Sequence, residues 1–170
     1  LKKQVGRGHG FGGSTLLHLA VREPDFLGGL VLFDSGVRTP ESKRGELGPL
    51  RQMSPEDNRR FLADRLFGPD DPPSLRDKII AEMFEVPPEV GRPMSETVLG
   101  FDSGTAAVRC KLPSLFLLAD KPFTDDATLA RLGPNWRLGK VVGAGHFIQL
   151  VAPAQVNAMV DRYLELIGRA

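Results

Sequence analysis

Two continuous apolar runs, each ending in an aspartate, constrain the fold more than any other feature of the chain. The first, Leu30–Phe33, follows two glycines and ends at Asp34. The second lies within residues 112–119 and ends at Asp120. Apolar runs of this length, without alternating polar residues, are typical of strands that are buried on both faces of a parallel sheet. The runs therefore predict an α/β fold.

Helical patterns alternate with these strands. Residues 14–22 have apolar side chains at helical spacing before Pro24, and residues 153–167 carry an apolar stripe that ends at Gly168. A short helix is predicted after Thr124, and a short third strand within 137–142 leads to His146. The alternation predicts one domain with a mostly parallel sheet and flanking helices, which binds its ligand beyond the carboxyl ends of the strands.

The segment 38–109 differs from the rest of the chain in composition. It is rich in prolines and charges and contains no second buried run. Two amphipathic helices are predicted in it: one begins after the N-cap residue Ser54 and ends before Gly68, and the other ends before Pro87. Because their apolar stripes must cover something, we expect a helical insertion in the domain rather than a linker.

Composition narrows the classes of partner. The chain has 22 Lys and Arg against 21 Asp and Glu, and this net charge of +1 gives no electrostatic reason to bind nucleic acid or an anionic membrane. Its single cysteine, Cys110, has no partner for an internal disulfide, and no targeting or membrane-spanning segment is evident. We expect a cytoplasmic protein of 170 residues that binds a small molecule.

A glycine-rich turn precedes the first helix and fits two kinds of site. Gly8, Gly10 and Gly13 satisfy G-x-G-x-x-G, and Asp34 lies roughly twenty residues further on, as in dinucleotide-binding domains. That motif should follow a hydrophobic strand, whereas the preceding LKKQV has only two apolar residues. Alternatively, GHGFG is a G-x-S-x-G nucleophile elbow in which Gly10 stands in place of the serine.

Several motifs favour the second interpretation. GHGFGG before a helix, GGLVLFDSG, SLFLLAD and GAGHF before the last helix together resemble the α/β-hydrolase superfamily over essentially the whole chain. The resemblance implies the C-terminal two thirds of that fold over residues 1–170, without its N-terminal strands. It also implies that 38–109 forms a helical cap. The order of elbow, acid and histidine is the one that this fold requires.

The resemblance also implies roles for individual residues. His146 matches the general base, and Asp120 matches the acid that orients it, with Asp34 as the alternative acid. Phe11 donates the backbone N–H of the oxyanion hole, and Gly10 occupies the nucleophile position. No cofactor and no metal are implied. Because glycine has no side chain, a covalent intermediate cannot form at this position.

We therefore expect a hydrolase of small ester- or amide-like substrates that is inactive or impaired. A binding protein that keeps the pocket without catalysis is the alternative, and a dinucleotide-binding domain is less favoured. If the strands ahead of the elbow are missing, the sheet has an exposed edge. We then expect the chain to dimerise through that edge or to need a further N-terminal segment.

Overall fold

The computed structural model describes residues 3–38 and 52–169 and contains a parallel sheet of four strands. The strands pair in the order β1-β2-β3-β4, which is also their order in the sequence. Their bounds are β1 Gln4–His9, β2 Leu27–Phe33, β3 Ser114–Leu118 and β4 Trp136–Lys140. The predicted α/β fold is confirmed.

Helices connect the strands and flank the sheet. Their bounds are α1 Phe11–Arg22, α2 Pro55–Leu66, α3 Pro73–Met83, α4 Pro88–Gly100, α5 Ser103–Arg109, α6 Asp126–Leu129, α7 Ile148–Val151 and α8 Pro153–Leu166. Within the described residues, no helix is long and apolar enough to span a bilayer.

The core lies on both faces of the sheet because successive side chains of a buried strand point to opposite faces. In β2, Leu30 and Leu32 pack on one face with Leu17 of α1. Val31 packs on the other face with Tyr163 of α8. This two-sided burial is what the continuous apolar run in β2 predicts.

Two strands differ from the expectations from sequence. The residues before the elbow form a strand, β1, which pairs along its length with β2, although LKKQV has only two apolar residues and did not predict it. In the described sheet β1 pairs only with β2, and it carries the polar residues Gln4 and Arg7, so no apolar run marks it in the sequence. Strand β4 ends at Lys140, so the predicted strand residues Val141 and Val142 lie in the loop that follows it.

The described part of the segment between β2 and β3 is helical. As predicted, Ser54 caps α2, its hydroxyl accepting the N–H of Asp57, and Pro55 occupies the first turn. Helices α4 and α5 were not predicted from sequence, and α4 contains two prolines and two glycines, which are unfavourable in helices. A separate apolar cluster joins α2 to α3 through Leu66 and Ile80.

The glycines of the turn allow β1 and α1 to approach closely. A Cβ on Gly8 would lie 2.7 Å from the backbone nitrogen of Gly13. A Cβ on Gly13 would lie 2.9 Å from the Cβ of the buried Ser35 and would overlap its hydroxyl. By contrast, a Cβ on Gly12 would meet nothing within 4 Å. Two of these glycines are therefore required by packing.

We predict opposite effects for two adjacent substitutions. Gly13→Ala should lower the free energy of unfolding by about 1–3 kcal/mol, since its methyl group must displace Ser35. Gly12→Ala should leave that free energy unchanged or raise it by up to about 1 kcal/mol, because alanine is the better helix former. Chemical denaturation of both variants measures the difference. Equal effects at the two positions would contradict the close contact.

Candidate active site

The sheet brings the turn and the first aspartate together. In the β1–β2 pair, His9 lies opposite Phe33, so Gly10 and Asp34 follow at neighbouring strand ends. The N–H of Gly10 donates to the carbonyl of Phe33 at 3.1 Å, and the N–H of Asp34 donates to the carbonyl of Leu117 in β3 at 2.8 Å. These bonds fix both residues at the carboxyl edge of the sheet.

His146 and Asp34 form a hydrogen-bonded pair. The imidazole Nδ1 lies 2.8 Å from the Asp34 Oδ2, and the Asp34 side chain is fully buried. The other oxygen of Asp34 accepts the N–H of Ala119 at 3.1 Å. Because a carboxylate only accepts, Nδ1 carries the proton and Nε2 is left as the basic atom of the neutral ring.

Asp34 adopts an unusual backbone conformation. Its φ is 37°, and it is the sole non-glycine residue with positive φ in the part of the chain that the structure describes. Aspartate tolerates this region better than most residues, but the conformation still costs free energy and is found mainly where surrounding structure enforces it. Here the hydrogen bonds of its backbone and of both its carboxylate oxygens hold it.

Asp120, the first candidate for the acid, has other partners. Its Oδ2 accepts the N–H of Gly143 at 3.0 Å, and its Oδ1 lies 3.7 Å from the Nζ of Lys140. The carboxylate therefore shapes the loop after β4. Of the two aspartates at the strand ends, the structure brings Asp34, the alternative candidate, to His146.

Gly10 lies in front of the other imidazole nitrogen. Its backbone has φ 54° and ψ −125°, a conformation that glycine adopts without a Cβ clash. A Cβ built on Gly10 would lie 3.3 Å from His146 Nε2 and 3.6 Å from Cε1. A hydroxyl one bond beyond that Cβ is within hydrogen-bond reach of Nε2. The sharp strand-to-helix turn thus has the form of a nucleophile elbow.

A second histidine packs on the first. The rings of His9 and His146 have centroids 4.3 Å apart, and His9 Nε2–H donates to the backbone carbonyl of His146 at 3.0 Å. Burial, together with the neighbouring His146, lowers the pKa of His9 from its usual 6.5 to about 4, although that hydrogen bond and the charge of Asp34 oppose the shift. His9 is therefore neutral at pH 7 and adds no positive charge beside the imidazole of His146.

The helical segment anchors the loop that carries His146. The N–H of His146 donates to the carbonyl of Leu66 at 2.7 Å. The buried carboxylate of Asp71 accepts the N–H of Gly145 at 3.0 Å and that of Gly68 at 2.9 Å. A Cβ on Gly145 would collide with Asp71 and would lie 2.6 Å from the Leu66 carbonyl oxygen. Residues 66–71 thus fix the path of the histidine loop.

An arginine of α2 packs on an aromatic ring that contacts His146. The guanidinium of Arg65 lies 3.6 Å from the ring centroid of Phe123 and donates to the carbonyls of Lys121 and Pro122. The Phe123 ring in turn contacts His146 edge-on, with centroids 4.8 Å apart. The imidazole is therefore bordered by aromatic rings.

Phe11, the predicted oxyanion donor, is the first residue of α1 and directly follows Gly10. The first N–H groups of a helix have no partner within it and favour negative charge. The Phe11 side chain is partly exposed, and its ring contacts the Phe101 ring edge-on, with the ring centroids 5.1 Å apart. This position is suited to an anionic oxygen.

Known structures have the same architecture. The chain superposes on an esterase from Thermogutta terrifontis with a TM-score of 0.75 and 22% identity, covering 98% of this chain and 66% of that one. The chain has a partial α/β-hydrolase fold. An N-acyl homoserine lactone degrading enzyme, Est816, gives a TM-score of 0.77 at 20% identity over 94% of this chain and 67% of its own.

A hydrolase from Oleispira antarctica shares this α/β-hydrolase fold with a TM-score of 0.78 at 13% identity, over 97% of this chain and 66% of its own. The chain spans about two thirds of the length of these structures. Its sequence matches no protein-family model and no curated protein significantly. The resemblance to the α/β-hydrolase fold inferred from the motifs is confirmed at the level of structure.

The geometry does not favour the dinucleotide interpretation. That interpretation needs the carboxylate of Asp34 for a ribose hydroxyl, whereas this carboxylate is fully buried and bonded to His146 and Ala119. Gly8 and Gly13 are already accounted for by the contact between β1 and α1. Among the residues that the structure describes, no cluster of ligands suits a metal ion.

Sequence reasoning missed His9, Asp71 and Phe123 as parts of the site. His9 was within the quoted turn, and its position next to Gly10 was the available signal. Asp71 and Phe123 have no such signal, because they reach the histidine loop only through the folded positions of their own loops.

We predict that His9 makes stability depend on pH. Its pKa is lower in the folded chain than in the unfolded one, so the unfolded state binds more protons between about pH 4 and 6.5. The free energy of unfolding is therefore highest above pH 6.5, where His9 is neutral in both states. It should fall by about 2 kcal/mol from pH 7 to pH 5 because of His9. Denaturation of the wild-type chain and of His9→Gln across this range measures it.

Glutamine keeps a donor for the His146 carbonyl but does not titrate. The free energy of unfolding of the wild-type chain relative to His9→Gln should therefore fall on acidification. A difference that stays constant from pH 7 to pH 5 would show that His9 is not buried as described.

Proposed function

We propose that this chain carries a serine-hydrolase-type site for small ester- or amide-like substrates, with its acid–histidine pair retained and its nucleophile replaced by glycine. One observation carries the proposal. The Nδ1 of His146 is bonded to a buried carboxylate, and its Nε2 faces the position of a Gly10 side chain at 3.3 Å. This is the arrangement that activates a hydroxyl nucleophile in acyl transfer.

Each residue has a distinct role in the proposed site. Asp34 holds the imidazole in the tautomer with a basic Nε2 and stabilises the imidazolium that forms during proton transfer. His146 is the general base, and the N–H of Phe11 donates to the developing oxyanion. Asp34 takes the acid role in preference to Asp120 because the Asp120 carboxylate is bonded to Gly143.

The missing side chain of Gly10 limits the reactions that the site can catalyse. With no hydroxyl or thiol at this position, the site forms no acyl-enzyme, and its covalent pathway is absent. We infer that the chain binds a small molecule and cleaves it poorly or not at all. Helix α2 acts as part of a cap, since its Arg65 and Leu66 hold the loops around His146, and α3 packs on α2 through Ile80.

The known structures that share this fold support hydrolysis as the class of reaction. Structures of the same fold are described as esterases, as a hydrolase and as an N-acyl homoserine lactone degrading enzyme. Because fold alone does not fix a reaction, the proposal depends on the pair and the elbow.

A binding protein without catalysis is the second candidate, and the observation that favours it is the glycine itself. At φ 54° a non-glycine residue is strained by about 1–3 kcal/mol, so Gly10 relaxes the turn and removes the nucleophile in one change. Turnover of p-nitrophenyl acetate by the unmodified chain, and its loss in His146→Gln, distinguishes the two candidates.

We predict that Gly10→Ser restores a nucleophile. The variant should become labelled by a fluorophosphonate probe and should hydrolyse p-nitrophenyl acetate at least about a thousandfold faster than the unmodified chain. It should also lose about 1–3 kcal/mol of stability through strain at this φ. Labelling, initial rates and a thermal melt measure these effects.

Two isosteric variants in the Gly10→Ser background test the acid. Asp34→Asn should reduce turnover by about a thousandfold, to the level of the unmodified chain, because the wrong tautomer is favoured, whereas Asp120→Asn, at the end of the neighbouring strand, should retain most of it. A folded Gly10→Ser chain that is neither labelled nor active would overturn the proposed function. The reverse order of the two aspartate variants would reassign the acid to Asp120.

A further inference from the structure

Two carboxylates are buried among the residues that the structure describes, and the proposed site uses one of them. Asp34 is bonded to the His146 ring, whereas Asp71, which is 6% exposed, lies between α2 and α3. The Oδ1 of Asp71 accepts the N–H of Gly145 at 3.0 Å, and its Oδ2 accepts those of Gly68 at 2.9 Å and Gly145 at 3.2 Å. A buried carboxylate is costly unless it is bonded, so Asp71 and these two loops hold each other in place.

The histidine loop, residues 141–147, is held by the sheet in its first half. The carbonyl of Ala144 accepts the N–H of Asp120 at 3.0 Å. The N–H of Gly143 donates to the Asp120 carboxylate, also at 3.0 Å. These bonds keep residues 141–144 against the end of β3.

The next three residues are attached to the cap, which consists of α2, α3 and the residues between them. The N–H of His146 donates at 2.7 Å to the carbonyl of Leu66, the last residue of α2. The ring of Phe147 stacks on that of Phe67, with centroids 5.4 Å apart, and packs against the apolar cluster that joins α2 to α3. With the bonds of Gly145 described above, three consecutive residues of the loop are held by the cap rather than by the sheet.

His146 therefore bridges two parts of the structure. Its main chain is bonded to the cap, while its ring is bonded to Asp34 at the end of β2 and faces Gly10 at the end of β1. A hydrogen bond weakens steeply when its length and angle depart from the optimum. In an active site, a displacement of about 1 Å can lower the rate by about a hundredfold. A shift of the cap relative to the sheet would move Nδ1 away from Asp34 and Nε2 away from Gly10.

We propose that the cap positions the base, with Asp71 as the positioning residue that joins the cap to the histidine loop, so that His146 meets Asp34 only while the cap is in place. This inference rests on the proposed function, because it concerns the base of that site. It gives the helical segment a second role, since the cap carries one half of the acid–base pair as well as bordering the site. Opening of the cap then separates the pair.

Native-state hydrogen exchange tests this coupling without any measurement of activity. Amides that open in one cooperative unit exchange with one free energy, so destabilising the unit speeds all of them together. Ile80→Val removes one buried methylene group from the cap cluster and should speed exchange of the Phe67 amide by about two- to tenfold. We expect the amides of Gly145 and His146 to speed up by the same factor, and that of Leu117 in β3 to change less.

Ile167→Val is the matched control, because it removes the same group from the cluster that packs on the other side of the fold, between α8 and the sheet. We expect it to leave exchange of the two histidine-loop amides unchanged. The inference is overturned if, in Ile80→Val, these two amides follow Leu117 rather than Phe67, or if all four amides change alike.

Asp71→Asn tests the positioning residue itself. Asparagine keeps the size of the side chain but replaces one accepting oxygen with an NH2 donor, which faces an N–H. We expect the ¹⁵N NMR signature of a His146 ring with its proton held on Nδ1 to be lost. In the Gly10→Ser background, kcat for p-nitrophenyl acetate should fall by about a hundredfold while KM changes by less than about twofold, because Asp71 acts through the base. Asp70→Asn removes the same charge from the exposed neighbouring residue and should change neither.

Folding of Asp71→Asn is checked by fluorescence of the single tryptophan, Trp136, which is buried in the core against the sheet. A folded Asp71→Asn chain with an unchanged His146 ring and unchanged kcat overturns the inference. If the variant does not fold, the exchange measured in Ile80→Val decides.

The outcomes separate this inference from the proposed function. If Gly10→Ser is labelled and active while the histidine-loop amides follow Leu117, the hydrolase-type site stands and only this inference fails. If Gly10→Ser folds but is neither labelled nor active, the proposed function fails, and the exchange data still decide whether the cap and the histidine loop form one unit.

Discussion

The hydrogen bond between Asp34 and His146 is the interaction on which the site depends. It joins the end of β2 to a loop more than one hundred residues later, and its carboxylate is fully buried. A buried carboxylate is costly unless both oxygens are satisfied. The imidazole and the N–H of Ala119 satisfy them, and a strained φ at Asp34 is maintained as a result.

The alternation of apolar runs and helical stripes was enough to predict the parallel sheet, because burial on both faces leaves a clear pattern. Strand β1 left no such pattern, since its sequence QVGRGH interrupts the apolar residues with polar ones and glycines. The choice between Asp34 and Asp120 also could not be made from sequence. Both follow adjacent strands, and the path of the histidine loop, held by Asp71 and Leu66, decides which one meets His146.

The glycine-rich turn shows how one motif can serve two physical purposes. Positions 8 and 13 require glycine because β1 and α1 are in contact there, and a Cβ at either position would clash with neighbouring atoms. Among the described residues, a Cβ on Gly10 would contact only His146 beyond its chain neighbours, so the lack of a side chain there affects chemistry rather than packing. This distinction separates an elbow from a phosphate-binding loop, and it is visible only in the folded chain.

The state of the His146 ring tests the central claim most directly. Two-dimensional ¹H–¹⁵N NMR of the three histidines, with His146→Gln for assignment, gives the tautomer of each neutral ring. We predict a proton on Nδ1 of His146, bonded to Asp34, and a bare Nε2, with this pattern lost in Asp34→Asn. A proton on Nε2 of the neutral ring, or a pattern unchanged by Asp34→Asn, would contradict the account.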